Sequence, residues 1–183
     1  MVADAGGNDL LRVDDKGRVS LLAVLPAQPL KITSEVAATL NLPDCVVGVT
    51  YRFEPVPTDV EVGPHGLLYV STLPGGPEDP SMGARGSVYV VNPDNGHARR
   101  VATGFAGATN LAVSPPGTVY VAELFGGQIS VVSHGKAKPL VQLPGALAVE
   151  WAKGDLYAST IAATDLEGNP TEPGSLVKIN LKD

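Results

Sequence analysis

The sequence predicts an all-β fold, and three observations carry that prediction: the composition, an internal repeat, and the turn chemistry between repeated segments. Of the 183 residues, 44% are hydrophobic and only 17% are charged, enough to bury a core as one ordinary domain. The 21 glycines and 16 prolines call for many turns rather than long helices, which argues against a helical bundle. The longest apolar runs, Leu21 to Leu25 and Cys45 to Val49, are too short to cross a bilayer as a helix.

The repeat is direct. Thr58-Asp59-Val60-Glu61-Val62-Gly63-Pro64-His65-Gly66-Leu67-Leu68-Tyr69-Val70 aligns without gaps on Thr109-Asn110-Leu111-Ala112-Val113-Ser114-Pro115-Pro116-Gly117-Thr118-Val119-Tyr120-Val121, and a degraded third copy spans Ala146 to Ala158 with Gly154 and Tyr157 in register. Each copy is followed by a glycine and another apolar run, beginning at Gly86, Gly127 and Gly174, and in two copies by a fourth run, at Arg99 and at Pro139. The runs are short, rich in Val, Leu, Ile and Tyr, and bounded by Gly, Pro, Asn or Asp, so they read as strands of antiparallel meanders. The turns Gly63-Pro64-His65-Gly66 and Ser114-Pro115-Pro116-Gly117 put proline where the backbone angle is fixed and glycine where it is positive. Four strands per repeat make a blade, and repeated blades make a β-propeller.

Taken in chain order, residues 1–26 form a partial blade, since Val2 to Gly7 matches Val121 to Gly127 with one residue allowed for the loop. Residues 28–57 lie outside the repeat as an insertion. Within it a short helix is expected from Ser34 to Asn41, stopped by Pro43. The β-branched run from Cys45 to Phe53 is expected to add an irregular strand or loop over one face of the propeller, where binding residues collect. Full blades follow at 58–103 and 109–143, and a partial blade at 146–183. About three blades fall short of the four or so that closure needs. The expectation is therefore either a missing N-terminal half or self-association through open faces.

Val2 to Leu11, Tyr51 to Val60 and above all Gly104-Phe105-Ala106-Gly107-Ala108-Thr109-Asn110-Leu111-Ala112-Val113 resemble the ScyD/ScyE family. The resemblance covers nearly the whole chain. It implies an NHL-type propeller and, because members usually carry an export leader, a place outside the cytoplasm. Members are about twice this length, so the chain resembles the C-terminal half of one. Residues 1 to 7 lack the basic start and apolar run of a leader. The resemblance supplies no catalytic residues.

The net charge of -6, with scattered lysines and arginines, excludes the dense basic face that nucleic acid requires. The single cysteine, Cys45, builds neither a disulfide nor a zinc site and is expected in the core. His65, His97 and His134 fall in or beside turns and are expected to be solvated, while Trp151 is expected between blades. Propellers bring the starts of their innermost strands to a central channel. The equivalent positions there read as Asp59, Asn110 and Leu147, with Glu150 three residues beyond. Asp59, Asn110 and Glu150 supply oxygen ligands suited to Ca²⁺; the competing reading is that Asp59 and Asn110 hydrogen-bond the next blade's backbone and lock blade to blade. Asp4, Thr72, Glu123 and Thr160 are equivalent in the second strands, where two carboxylates suggest an acid and base pair or, more simply, loop caps. No phosphate loop, His-Glu-x-x-His or Cys-x-x-Cys motif is present. The leading functional expectation is a non-catalytic binding or scaffold propeller for an unknown protein or small molecule; the alternative is a metal-dependent hydrolase or lactonase of the six-bladed type.

Overall fold

The computed structural model describes residues 1–77, 79–165 and 167–181; Glu78 of the expected blade 58–103, and Leu166, Lys182 and Asp183 of the expected final blade, lie outside them. Strands β1 (Val2–Asp4), β2 (Asp9–Val13) and β3 (Val19–Val24) form an antiparallel sheet in that order, blade I. The insertion contributes β4 (Gln28–Lys31), helix α1 (Ser34–Thr39) and β5 (Thr50–Phe53), with β4 and β5 paired as a hairpin. Blade II is the meander β6 (Pro57–Val62), β7 (Leu68–Thr72), β8 (Gly86–Val91) and β9 (Ala98–Phe105). Blade III repeats it with β10 (Ala108–Val113), β11 (Val119–Glu123), β12 (Gln128–Ser133) and β13 (Lys136–Gln142). Blade IV begins with β14 (Ala146–Ala152) and β15 (Asp155–Thr160); after the small hairpin β16 (Ala163–Thr164) and β17 (Pro170–Glu172), β18 (Leu176–Ile179) returns to pair with β15.

The chain is thus all-β, with the layers of an incomplete propeller. Its apolar side chains pack blade on blade, as a sheet buried on both faces requires. Leu10 and Ala23 of blade I meet Leu68, Val70, Tyr89 and Val91 of blade II. Val88, Ala102 and Phe105 of blade II meet Leu111, Val119 and Val121 of blade III. Tyr120, Ala122 and Ile129 of blade III meet Val149, Leu156 and Ala158 of blade IV, with Trp151 packed at the margin as expected. Each large side chain so buried stabilises the fold by about 1.5–3 kcal/mol. One pairing was not expected: Thr103 of β9 and Lys136 of β13 lie opposite each other in a parallel bridge, so blades II and III share one eight-stranded sheet.

The insertion departs from expectation in detail. Thr33, rather than Ser34, caps α1, its hydroxyl accepting the Val36 N–H at 3.2 Å. The run from Cys45 to Val49 is no strand, because Pro43 is followed by one 3₁₀ turn over Asp44–Val46 and only Thr50–Phe53 pairs. Cys45 is exposed on that turn, which corrects its expected place in the core. Among the described residues no helix is long and apolar enough to cross a membrane.

Candidate channel site

Strand β6 packs beside β10, and β10 beside β14, so the three innermost strands carry the candidate residues toward one another. Asp59 Oδ2 accepts the backbone N–H of Leu111 at 3.0 Å and the side-chain amide of Asn110 at 2.6 Å. Its Oδ1 accepts the N–H of Val60 at 2.8 Å. One blade further on the device repeats, with Asn110 Oδ1 accepting the N–H of Val149 at 2.7 Å. Leu111 and Val149 are fully or nearly buried, at 0% and 3% exposure, so each N–H needs a partner. Both side chains are therefore tied into the junctions between blades.

The structure moves the third copy's register by one residue. A β-bulge near the start of each inner strand puts Asp59 opposite Ser71, Asn110 opposite Ala122 and Ala148 opposite Ser159. The equivalent of Asp59 in blade IV is therefore Ala148, not Leu147. The cause is the turn: five residues separate Val62 from its partner Leu68, and five separate Val113 from Val119, but only four separate Trp151 from Leu156. Counting back across that shorter turn misplaces everything before it.

The corrected register brings out a residue that the alignment alone passed over. Glu61 faces Tyr69 as Glu150 faces Tyr157, so the two glutamates occupy the same slot two blades apart, with Ala112 between them opposite Tyr120. Asp59 and Glu61 lie two residues apart on one strand and so share a face. Burial pushes the Glu61 carboxyl above the ordinary range, and the negative charges of Asp59 and Glu150 push it further. Burial likewise raises Asp59, opposed by the donors at Leu111, Val60 and Asn110. Glu150 is exposed, its Oε1 accepting the N–H of Trp151 at 3.1 Å.

The other sequence-derived residues take structural roles. Asp4 accepts from Gly6 and Gly7 in the loop after β1. Glu123, 1% exposed, accepts the N–H of Ala106 at 2.5 Å and the amide of Gln128 at 3.0 Å. The Thr72 hydroxyl donates to the Ser87 carbonyl, and that of Thr160 accepts the Ser175 N–H. Asp4 and Glu123 are not brought together as an acid and base pair. Asp9 stands opposite Asp4 across β1 and β2, and its buried Oδ1 has no partner among the described residues. All three histidines are exposed.

Asp59, Glu61, Glu150 and Asn110 are hard oxygen donors of the kind Ca²⁺ takes. Asp59 already accepts two backbone N–H groups and the Asn110 amide, and Asn110 Oδ1 accepts the Val149 N–H, so Glu61 and Glu150 are the donors that fit a cation without breaking a junction. Among the described residues no group of three or more His, Cys, Asp or Glu side chains is assembled in a ligating arrangement.

Comparison with known proteins extends the fold and stops there. No protein-family model matches the chain, and no curated protein matches it in sequence. The fold is that of a gluconolactonase from Xanthomonas campestris, with TM-score 0.58 and 21% identity over 97% of this chain. The chain spans 57% of the length of that enzyme. A calcium-binding regucalcin from Agrobacterium tumefaciens (17% identity, 90% of this chain and 64% of that one, TM-score 0.47) and a virginiamycin B lyase from Staphylococcus aureus (13%, 98% and 65%, TM-score 0.44) are more distantly similar.

Proposed function

We propose that the channel face holding Asp59, Glu61 and Glu150 binds a hard divalent cation such as Ca²⁺, and that a propeller containing this segment is a metal-assisted hydrolase of the lactonase type. The observation that carries the reading is the placement of Glu61 and Glu150 in the same slot two blades apart, with Asp59 on the same strand face as Glu61; burial raises the Glu61 carboxyl, and the negative charges of Asp59 and Glu150 raise it further. A cation between them would relieve that repulsion. Fold likeness to a gluconolactonase supports the choice of reaction class over a purely passive propeller; since one fold hosts many chemistries, it supports no more than that.

In this reading Glu61 and Glu150 hold the cation, which would supply Lewis acidity toward an ester carbonyl and its attacking water. Asp59 and Asn110 fix the spacing of the three inner strands. The test is hydrolysis of a simple δ-lactone with and without added Ca²⁺. Activity that needs the cation and falls at least about tenfold in Glu61→Gln supports the reading. Full activity in Glu61→Gln, or in chelator, sinks it.

A second reading, a non-catalytic binding propeller of the ScyD/ScyE type acting outside the cytoplasm, is favoured by the occupation of Asp59 and Asn110 in backbone bonds. Under either reading the outer face of blade I needs a cover. Val2, Val13, Val19 and Leu21 are 43–61% exposed there, and the cross-strand pairs Val2 with Leu11, Leu11 with Leu21 and Val13 with Val19 make them one apolar stripe. The proposed cover is a further propeller segment or a second copy; a monomer by sedimentation with no other segment present would count against both.

A further inference from the structure

The insertion between blades I and II encloses a cavity of about 520 Å³, within the range of small-molecule sites. The cavity stands apart from the channel carboxylates. Along β5, Tyr51 and Phe53 line it. Thr50 and Arg52 alternate to the other face of the hairpin with their partners Lys31 and Pro29. Ile32 and Phe53, 3% and 7% exposed, are fixed walls, whereas Leu42, Val49 and Tyr51 are 38–56% exposed and form an open rim.

The opposite wall, Gly75 and Gly76, is pinned by Arg85. The guanidinium donates to the Gly75 carbonyl at 2.7 Å and to the Pro74 carbonyl at 3.4 Å, and its carbon lies 4.7 Å from the centre of the Phe53 ring. At Gly76 φ is 123°, and a Cβ would come 3.0 Å from Arg85 Nη2 and 3.3 Å from Met82 Sδ, so that position requires glycine.

The lining is apolar with one exception. Among the described residues Glu54 is the only acidic or basic residue lining the cavity; Arg85 lies behind the Gly75 and Gly76 wall and is not part of the lining, and Lys31 and Arg52 belong to the other hairpin face. The chain as a whole carries -6, which favours approach of cations. An apolar chamber with one acidic residue, the exposed Glu54, at its edge complements an apolar body ending in an ammonium group. We propose that this cavity binds a small organic cation, an amine carrying an aromatic or aliphatic body.

Calorimetric titration at low salt with 4-phenylbutylamine, 4-phenylbutanol and 4-phenylbutyrate keeps the body constant and varies the charge. The amine is expected to bind about fivefold tighter than the alcohol, as one partly exposed ion pair allows, and tighter still than the carboxylate. Glu54→Gln should bring the amine to the level of the alcohol, and Leu42→Trp, which crowds the mouth, should weaken all three with thermal unfolding unchanged. No binding by any probe, or equal affinity for amine and carboxylate, would overturn the proposal. An amine preference that survives Glu54→Gln would place the amine on the channel carboxylates and overturn it equally. A dimer dissociated by Leu42→Trp would show a second copy to be the occupant.

Discussion

The junction between blades II and III and the junction between blades III and IV use one device with two chemistries. In the first, a carboxylate catches the buried N–H of Leu111; in the second, an amide catches that of Val149. The carboxylate gathers three donors where the amide oxygen takes one, because a charge half removed from water needs more compensation than a dipole. Even so, burial keeps Asp59 raised. Asn110 belongs to both junctions, donating backward to Asp59 and accepting forward from Val149. The lock is a relay, and in blade IV the slot holds Ala148, which has no side-chain acceptor.

Breaking the relay at its charged end should have the largest effect. Asp59→Ala leaves the Leu111 N–H and the Asn110 amide without acceptors and should cost about 2–3 kcal/mol, read from urea unfolding. Asn110→Ala removes one acceptor and one donor and should cost about 1–2 kcal/mol by the same measurement. Because the two side chains touch, the double variant should lose less than the sum, by roughly 0.5 kcal/mol or more. Strict additivity would mean that the two junctions are independent.

The pH dependence sharpens the comparison. Asp59 and Glu61 are both raised in the folded chain, so folding favours their protonated forms. Their contribution is fully present below the unfolded pKa and is lost as pH rises through the raised folded values. Asp14, Asp79 and Asp165 act in the opposite sense: their carboxyls are lowered by local hydrogen bonds, Asp14 by Arg18, Asp79 by Ser81 and Asp165 by Asn169, and their contribution is lost as pH falls. Glu61→Gln should therefore be more stable than the parent at pH 7, by a few tenths of a kcal/mol, with the difference closing toward pH 4. A difference that grows on acidification would contradict the assigned direction.

Much of this was legible beforehand. The gapless match of Thr58 to Val70 with Thr109 to Val121 found the two full meanders, and it paired Asp59 with Asn110 before any contact was known. It failed at blade IV because a turn one residue shorter is invisible when glycine and tyrosine are the anchors. Only the observed strand pairing, Glu61 with Tyr69 and Glu150 with Tyr157, puts the two glutamates in one slot. Cys45 was expected in the core as a lone, unpaired cysteine, whereas Pro43 and Asp44 start a 3₁₀ turn that leaves it exposed. The bridge between Thr103 and Lys136 joins two separate meanders, and no local pattern encodes it.

Under the proposed function the charged junction and the glutamates beside it differ from the neutral junction in one further respect: only the former would gain from a cation. The direct measurement is the melting temperature at pH 7 across a Ca²⁺ titration, made in parallel on the parent chain, Glu61→Gln and Glu150→Gln. The expected result is a saturable rise of a few degrees in the parent, reduced in both variants, as binding to the folded state alone requires. A parent chain indifferent to millimolar Ca²⁺, or variants that respond as fully as the parent, would contradict the assignment of a cation to Glu61 and Glu150 and leave Asp59 and Asn110 as blade locks alone.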